Sequence, residues 1–412
     1  MSSSMRIVII EPDASGGMVH FAYMLGRGLS GLGARVTLIT AHDYELSGLP
    51  HDFEVKTEFT LWSRMDSGRS NPQVDSWMGR LHRKVIRRAW RALRLSSEMW
   101  RVVGLVASGR PDIVLVRPFP LPGRGLMMAK LKRAGATLIE VSHEFEPRDA
   151  IDPLAARLER MLASTGSRSI DLRLFLGASV RERYALLHPR VPGRRLQVIP
   201  HGDGEMFELL ADSDADLDGR FGIEDDDAVV LFFGNLRPSK GVSDLLAGFA
   251  GAKRPPNARL LVVGYPSPDV DAGALVEQAR ALGITDAVRF DFGYFPNELV
   301  APMFRLARFV ALPYRSATQS GPLHVAITFG KPVLATRTGG IVDVIEDEVN
   351  GLLVEPGDVP ALSAALERML SDDDLIERMS AAVTRDRARF RWSEVAARVL
   401  ESAETVSSPD RS

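Results

Sequence analysis

Two turns in the second half of the chain carry residue types that can hold a diphosphate. The stretch "LFFGNLRPSKG" at 231–241 places Arg237 and Lys240 directly after an apolar run. The stretch "QSGPLH" at 319–324 places a Ser-Gly-Pro turn at the start of an apolar helical pattern. A helix N-terminus exposes unpaired N–H groups and the positive end of the helix dipole, so it binds anions. Two cations beside such an N-terminus can hold a diphosphate and stabilise the charge that develops on it.

The elements around these turns must bring them together. "AVVLFFGNL" and "FVALPY" are apolar runs typical of buried parallel strands, and a helical pattern follows each of them. In doubly wound sheets, ligands bind at the carboxyl ends of the strands. We therefore expect Arg237, Lys240 and the Ser320-Gly321-Pro322 turn to lie at one edge of one sheet.

The alternation of strand and helix patterns runs through the whole chain and restarts once. The first half opens with the buried strand "MRIVII", the turn "EPDASGG", a helix and the strand "ARVTLIT". The acidic, turn-rich linker 211–227 precedes the second series. The pattern predicts an α/β protein with two tandem doubly wound, Rossmann-like domains facing a central cleft. Their predicted bounds are 1–200 and 201–385, with a helix at about 386–405 returning to the first domain.

Composition excludes several classes of site. The 412 residues include no cysteine, which removes disulfides, thiolate catalysis and cysteine-based metal sites. No run of eighteen apolar residues is present, so we expect no transmembrane helix. The opening "MSSSMRIVIIEPD" lacks the basic flank and the apolar length of a secretory signal, and we expect a cytoplasmic location.

The two halves differ in charge. Residues 1–200 hold 30 Lys/Arg against 19 Asp/Glu, a net charge of +11, whereas the remainder holds 21 against 34, a net charge of −13. Such asymmetry indicates separate domains with different partners. The acidic runs at 224–227 and 371–374 are interpreted as a linker and a helix start, so the sequence predicts no metal site.

A basic segment at 79–110 carries nine Lys/Arg and one Glu. Apolar positions 81, 85, 86, 89, 90 and 93 form one stripe of a helix. Such a helix can lie on an anionic membrane surface, or it can pack its stripe on its own domain. The sequence leaves both open. No nucleic-acid reader motif accompanies the charge, so we expect no nucleic-acid partner.

Four segments resemble the retaining family-4 glycosyltransferases of the GT-B fold. "FGNLRPSKGVSDLL" is similar to the family's strand and Lys-Gly turn, and "GKPVLATRTGGIVDVIEDEVNGLLVEPGD" resembles its C-terminal donor segment over almost every position. "SGGMVHFAYMLGRGLSGLGARVTLIT" resembles its Gly-Gly loop and first helix, and "VIPHGDGEMF" its interdomain crossing. The resemblance covers most of the chain and is weak over 45–110.

The resemblance implies a set of site residues. His143 would stand near the transferred sugar and Lys240 would bind the diphosphate. Family members usually have an arginine where this chain has Asn235, so Arg237 would supply that charge instead. The implied donor-binding residues are Gly16, Gly17, Asn235, Gly293, Tyr294, Phe295, Gln319, Ser320, Gly321, Pro322, Leu323 and His324.

The chain departs from the family pattern at two positions. Where the family carries two glutamates, one facing the donor sugar and one holding the ribose, this chain has Ala317 and Val325. Gln319, Ser320, His324 or Thr328 could take over these contacts, and the sequence does not choose among them.

The predicted function is transfer of a sugar from a nucleotide-diphosphate sugar, with retention and without a metal or another cofactor. The acceptor would be a glycan, a lipid-linked molecule or a small molecule. A non-catalytic binding or scaffold protein of the same fold remains an alternative because of Ala317 and Val325. A nucleotide-sugar epimerase of related fold is a further alternative. An NAD enzyme is disfavoured because "ASGG" lacks the dinucleotide-binding glycine spacing, although Asp43 follows the second strand.

Overall fold

A computed structural model describes residues 5–60, 77–118, 121, 123–142, 161, 166–212 and 216–407, with the side chains of 77–92, 218 and 407 left out. The chain divides into two compact units. The first comprises Met1–Leu176, Arg181–Ile199 and Trp392–Ser412, and the second comprises Gly177–Val180 and Pro200–Arg391.

The first unit is built on a seven-stranded parallel sheet. Its strands are β1 (Arg6–Ile10), β2 (Arg35–Ala41), β3 (Glu54–Phe59), β4 (Ile113–Val116), β5 (Thr137–Ser142), β6 (Leu172–Phe175) and β7 (Leu196–Val198). They lie in the order β3-β2-β1-β4-β5-β6-β7. The order reverses between β1 and β4, which makes that position the topological switch point of the sheet.

Within the described residues, four helices follow the strands of this sheet in chain order. They are α1 (Gly17–Gly31), α2 (Trp77–Gly109), α3 (Arg124–Arg133) and α4 (Ala178–Leu187), whose first residues group with the second unit. The central strands are continuous apolar runs because helices cover both faces of a parallel sheet.

Strand β3, "EVKTEF", is absent from the sequence prediction. It pairs with β2 alone, at the edge of the sheet. Charged residues alternate along it, as edge strands tolerate, so it carries no apolar run that would reveal it.

The described half of helix α2 packs on its own unit. Leu95, Met99, Val102 and Val103 are buried in the core of the first unit. The side chains of 77–92, where most of the predicted basic face falls, lie outside the described residues. The predicted apolar stripe falls on the same stretch, and Leu93, its one described member, is exposed, so both alternatives for the basic segment stay predictions.

The second unit is built on a six-stranded parallel sheet. Its strands are β8 (Ala228–Phe233), β9 (Ala258–Gly264), β10 (Val288–Phe292), β11 (Phe309–Leu312), β12 (Val333–Thr336) and β13 (Gly351–Val354). The order is β10-β9-β8-β11-β12-β13, with the switch point between β8 and β11. Two doubly wound sheets, one in each unit, thus agree with the predicted fold class.

The helices of the second unit alternate with these strands. They are α5 (Glu205–Leu210), α6 (Leu217–Phe221), α7 (Val242–Gly251), α8 (Ala272–Ala281), α9 (Asn297–Leu306), α10 (Gly321–Thr328), α11 (Val359–Ser371) and α12 (Asp373–Asp386). The acidic run before α12 is a helix cap, since the Asp372 carboxylate accepts from the Leu375 amide at 2.8 Å. Asp227 of the other acidic run pairs with Arg259 at 3.0 Å. Both runs have the structural roles that the sequence indicated.

The last helix, α13 (Trp392–Ser407), belongs to the first unit. Trp392 meets Phe21 of α1 edge-on, with ring centroids 5.3 Å apart. A Cβ on Gly28 of α1 would overlap the Trp392 carbonyl oxygen, so the two helices approach at a point where only glycine fits. The helix begins at Trp392, later than the predicted 386, because residues 387–390 form a separate 3₁₀ turn.

Every described helix is too short or too polar to cross a membrane. Among the described residues, no three His, Asp or Glu side chains gather as they would around a metal ion.

Candidate active site

The two turns singled out by the sequence meet at the switch point of the second sheet. Strands β8 and β11 are hydrogen-bonded neighbours, and the turns 234–241 and 313–320 leave their carboxyl ends. The Arg315 amide donates to the Ser239 carbonyl at 2.8 Å, which ties one turn to the other. The predicted juxtaposition of the turns is confirmed.

The backbone conformation at position 241 explains why a glycine follows Lys240. Its φ of 66° lies in the left-handed region, and a Cβ there would overlap the Pro313 carbonyl oxygen. Only glycine combines that backbone conformation with that close approach. The turn is thereby held against the end of β11, and Lys240 is held next to Tyr314.

A chain of contacts links Lys240 to the start of helix α10. The Lys240 Nζ lies 3.5 Å from the centroid of the Tyr314 ring, a cation–π contact. The Tyr314 hydroxyl is 3.2 Å from the Ser320 Oγ. Burial raises the pKa of Tyr314 to about 12, so the phenol stays neutral beside the lysine.

Helix α10 begins with the predicted turn. Ser320 caps it, its Oγ accepting from the Leu323 amide at 3.3 Å. Pro322 lies in the first turn and has no N–H to satisfy. The Gly321 amide has no hydrogen-bond acceptor within the described residues. A Cβ on Gly234 would lie 3.3 Å from Pro322 Cγ, which shows how closely the first turn approaches this helix.

This arrangement suits an anion. The positive end of α10, one unpaired amide and the Lys240 ammonium lie within one connected set of contacts. Arg237, partly exposed, begins the 3₁₀ turn Pro238–Lys240 and adds a second cation to the same loop. Asn235 in that loop is exposed.

The loop after β10 presents one of its two aromatic residues to solvent. Gly293 has a φ of 145°, and its amide donates to the Gly264 carbonyl at 3.1 Å. The Tyr294 side chain is exposed, whereas Phe295 is buried and packs against Phe233. Of the two aromatic residues, Tyr294 is therefore the one exposed for contact with a ligand, and Phe295 belongs to the core.

The two positions that depart from the family pattern are apolar in different settings. Val325 is buried, and its Cα lies 3.2 Å from where a Cβ on Gly204 would stand. Ala317 is partly buried beside the core of the second unit. The Ala317 carbonyl would overlap a Cβ on Gly339.

Besides Ser320, which caps α10, two more of the four possible substitutes are used inside the fold. The Thr328 Oγ1 accepts from the Gly204 amide at 2.6 Å and donates to the His324 carbonyl at 2.9 Å. The His324 ring stacks on His201, with centroids 4.4 Å apart and planes 8° apart, and meets Phe390 edge-on. His324 is 2% exposed, so its ring packs inside the unit and not on the surface of the turn. This placement argues against the direct donor contact that the sequence allowed for it.

The Gly-Gly loop of the first unit binds a carboxylate of the protein itself. Gly16 precedes α1 with a φ of 84°, and its amide donates to the Glu45 carboxylate. The same carboxylate contacts His20 of α1. No atom lies within 4 Å of a Cβ built on Gly17. Gly16 is therefore required for its backbone conformation, and its amide already holds a carboxylate. His143, the predicted residue near the transferred sugar, lies outside the described residues.

Sequence reasoning missed a charged cluster at the switch point of the first sheet. Glu11 and Asp13 follow β1, and Arg117 follows β4 and contacts both, at 3.3 Å and 2.9 Å. Burial, opposed by Arg117, raises the pKa of Glu11 to about 7. The signal was available, because "EPD" directly follows the buried run "MRIVII".

A cavity of about 770 Å³ lies at the opposite, amino edge of the first sheet, with Arg6, Arg35 and Gly109 in its lining. Since doubly wound sheets bind ligands at their carboxyl edge, this cavity lies apart from the candidate site.

Comparison with known proteins agrees with this architecture. A family model described as glycosyl transferases group 1 matches residues 214–386, and a glycosyl transferase 4-like domain matches residues 16–202. The relatives include D-inositol 3-phosphate glycosyltransferases from Streptomyces griseus and Nocardia farcinica. The first is 31% identical over 246 residues, 58% of this chain and 52% of that protein. The second is 30% identical over 258 residues, 60% of this chain and 53% of that protein. The matched part thus spans about half of the length of these relatives.

Solved structures share the fold at low sequence identity. HepE from Anabaena in complex with UDP and glucose has a TM-score of 0.70 and 18% identity, over 97% of this chain and 100% of that one. Sucrose-phosphate synthase from Thermosynechococcus elongatus has a TM-score of 0.69 and 18% identity, over 98% of this chain and 99% of that one. With one family model on each half of the sequence and a doubly wound sheet in each unit, the chain belongs to the family-4 glycosyltransferases of the GT-B fold.

Proposed function

We propose that this chain transfers a sugar from a nucleotide-diphosphate sugar to a hydroxyl group of an acceptor, with retention of configuration and without a metal. The observation that carries the proposal is the linked set Lys240, Tyr314 and Ser320, which holds a cation beside the N-terminus of α10. Fixed positive groups of this kind stabilise negative charge as it develops on a leaving group.

The chemistry requires little more from the protein than this charge. The bond from the anomeric carbon to the diphosphate breaks, and the acceptor oxygen forms its bond on the same face of the sugar. The acceptor's proton passes to the departing phosphate oxygen, so no separate carboxylate base is needed. Lys240, Arg237 and the Gly321 amide compensate the charge on the diphosphate.

The comparisons support the choice of ligand classes. HepE was solved with UDP and glucose, which supports a nucleoside diphosphate at the equivalent place in this chain. The relatives are named for D-inositol 3-phosphate, which supports a hydroxyl-bearing acceptor. We propose a glycan, a lipid-linked molecule or a small polyol as the acceptor, and a cytoplasmic location. The basic segment 79–110 would rest on an anionic membrane surface.

A scaffold protein is the second candidate, favoured by Ala317 and Val325. Apolar residues at these positions cannot accept hydrogen bonds from a sugar or a ribose, and a buried hydroxyl without a partner costs about 1–3 kcal/mol. A donor site that had lost its function would show such changes. It would have no need of the Lys240 ammonium beside the N-terminus of α10, which the enzyme proposal explains.

A panel of nucleotide sugars tests the proposal. Thermal shift identifies the nucleotide that stabilises the protein, and mass spectrometry of incubations with lipid and polyol extracts identifies a glycosylated product. We expect binding of a nucleoside diphosphate in calorimetry and a product carrying the donor's sugar. If no nucleoside diphosphate binds the wild-type protein, the enzyme proposal fails and the scaffold alternative stands. Binding followed by interconversion of the donor's sugar, without transfer, would instead indicate an epimerase.

A further inference from the structure

The carboxamide of Gln319 is buried without a hydrogen-bond partner. Its Oε1 and Nε2 are shielded from solvent, and neither has a partner among the described residues. Leaving a buried polar group unpaired costs about 1–3 kcal/mol, so each such group in a folded protein calls for an explanation. Gln319 directly precedes Ser320, the cap of helix α10. The unpaired amide thus adjoins the proposed diphosphate site.

The backbone next to the Gln319 carboxamide carries no side chain at Gly340. A Cβ on Gly340 would overlap both polar atoms of the Gln319 carboxamide. The Gly340 amide donates to the Thr318 carbonyl at 2.9 Å, which fixes the two segments together. A side chain at 340 would displace the carboxamide, and glycine supplies no polar side chain to pair with it.

The other polar residues of the turn differ from Gln319. The Ser320 hydroxyl pairs with Tyr314 and the Leu323 amide. The Thr328 hydroxyl is used by Gly204. The His324 ring nitrogens are also unpaired, but that ring is enclosed between His201 and Phe390.

Gln319 is placed to reach a ligand. The residue as a whole is partly exposed, whereas its two polar atoms are buried, so contact with a ligand requires the carboxamide to rotate away from Gly340. Side-chain rotations of this size are common when a ligand binds.

We propose that the Gln319 carboxamide binds the transferred sugar of the donor through two neighbouring hydroxyl groups. One hydroxyl donates to Oε1 and the other accepts from Nε2, which satisfies both ends of the amide. A phosphate offers only acceptors and would leave Oε1 unpaired, so the diphosphate itself is the poorer partner. This inference rests on the proposed function and names the residue that recognises the sugar by hydrogen bonds to its hydroxyl groups.

Calorimetry with UDP and UDP-glucose as paired probes tests the inference on the full chain. Gln319→Ala should weaken UDP-glucose binding about tenfold, the equivalent of one or two hydrogen bonds, and leave UDP within twofold. Thr318→Ala, one residue away, is the matched control and should change neither affinity. With monodeoxy UDP-glucoses, the penalty of Gln319→Ala should disappear for the analogues that lack a paired hydroxyl.

A stability measurement separates a binding role from a structural one. Gln319→Met replaces the unpaired amide with an apolar chain of similar length. It should raise the melting temperature of the unliganded protein while weakening UDP-glucose binding, the trade-off expected of a group kept for function.

Four results would overturn the inference. Equal losses for UDP and UDP-glucose would place the contact on the nucleotide. Unchanged UDP-glucose affinity in both Gln319 variants would assign the amide no role in binding. If wild type binds UDP tightly but gains nothing from the glucose, this inference falls while the proposed function survives. If wild type binds no nucleoside diphosphate, both fall together.

Discussion

At the scale of single residues, Lys240 is the side chain on which the proposed chemistry depends most. Its ammonium is held over the Tyr314 ring at 3.5 Å, so its position is set by the fold and not by the ligand. A group fixed before the reaction stabilises developing charge without reorganising. Removing it should therefore affect the reaction more than the fold.

Lys240→Ala should lower kcat by roughly 10²–10³, by analogy with the loss of one oxyanion-hole donor, and leave the melting temperature within a few degrees. Steady-state kinetics with the donor found in the panel, together with circular dichroism melts, provides the measurement. Lys253→Ala removes an exposed lysine after α7 and serves as the control. Transfer by Lys240→Ala within threefold of wild type would contradict the assignment.

The stacked histidines predict how stability depends on pH. Burial lowers the pKa of His201 to about 4, and burial together with His201 lowers the pKa of His324 well below its usual value. The unfolded chain therefore binds more protons than the folded one below about pH 6.5, and stability is lost as pH falls through that value towards 4. For one such ring, the loss between pH 7 and pH 5 is about 2 kcal/mol.

His324→Phe keeps an aromatic ring in the stack and removes one titrating group. Urea unfolding at pH 7 and pH 5 should show a clearly smaller loss of stability for the variant than for wild type. Asp203 lies nearby, and burial raises its pKa, which works in the opposite direction. The difference between the two proteins cancels that contribution. Identical losses in both would show that His324 does not resist protonation.

At the scale of elements, helix α2 is held to the first unit by the part of it whose side chains are described. From Leu95 to Val106 it packs on the core of the first unit, and its two arginines in the described half pair with Glu98 and Glu58. The basic face predicted from the sequence lies nearer its N-terminus. The helix is therefore anchored at its C-terminal end, and we propose that its basic N-terminal half contacts an anionic membrane.

Replacing Arg83, Arg87 and Arg91 with Glu should weaken sedimentation with vesicles of anionic lipid at low salt. Each basic residue near such a surface contributes about 1 kcal/mol, and salt screens the attraction. Replacing Arg190, Arg194 and Arg195 with Glu changes the net charge equally and should have little effect. If the wild-type protein ignores the vesicles at low salt, the membrane proposal is wrong.

The first turns of α1 and α10 show that similar elements can hold different anions. At α1, the Gly16 amide binds the protein's own Glu45. At α10, the Gly321 amide has no acceptor among the described residues. The second N-terminus is the one left for a ligand, which is why the proposed diphosphate lies there.

At the scale of the whole molecule, the charge of the chain is divided between its halves. The basic half holds the predicted acceptor domain and the acidic half holds the proposed diphosphate site, so the cations at that site stand out against an acidic background. Lys240, Arg237 and the α10 dipole supply the compensating charge, and the proposed transfer requires no divalent ion.

Activity should therefore survive chelation. Transfer assayed after dialysis against EDTA should match the untreated enzyme, with a bacterial metal-dependent transferase as the positive control for chelation. Loss of activity that magnesium or manganese restores would contradict the metal-free mechanism.

The sequence alone predicts the two doubly wound sheets, the two turns at the carboxyl edge of the second sheet, and the family. Buried parallel strands are continuous apolar runs, and the turns are rich in glycine, proline and serine. Both features can therefore be recognised in the sequence. Strand β3 was not predicted because it is an edge strand with one partner. Such a strand tolerates charged residues, so it shows no continuous apolar run.

Which side chains near the first turn of α10 remain available to a ligand depends on contacts that form only when the chain folds. The sequence shows four polar residues at or near this turn and gives no reason to choose among them: Ser320, Thr328, His324 and Gln319. Folding pairs Ser320 with neighbours in the chain and Thr328 with the distant Gly204, and it encloses the His324 ring between His201 and Phe390. Burial and pairing depend on segments separated by more than a hundred residues, such as Gly204 and Thr328, and no local pattern records them.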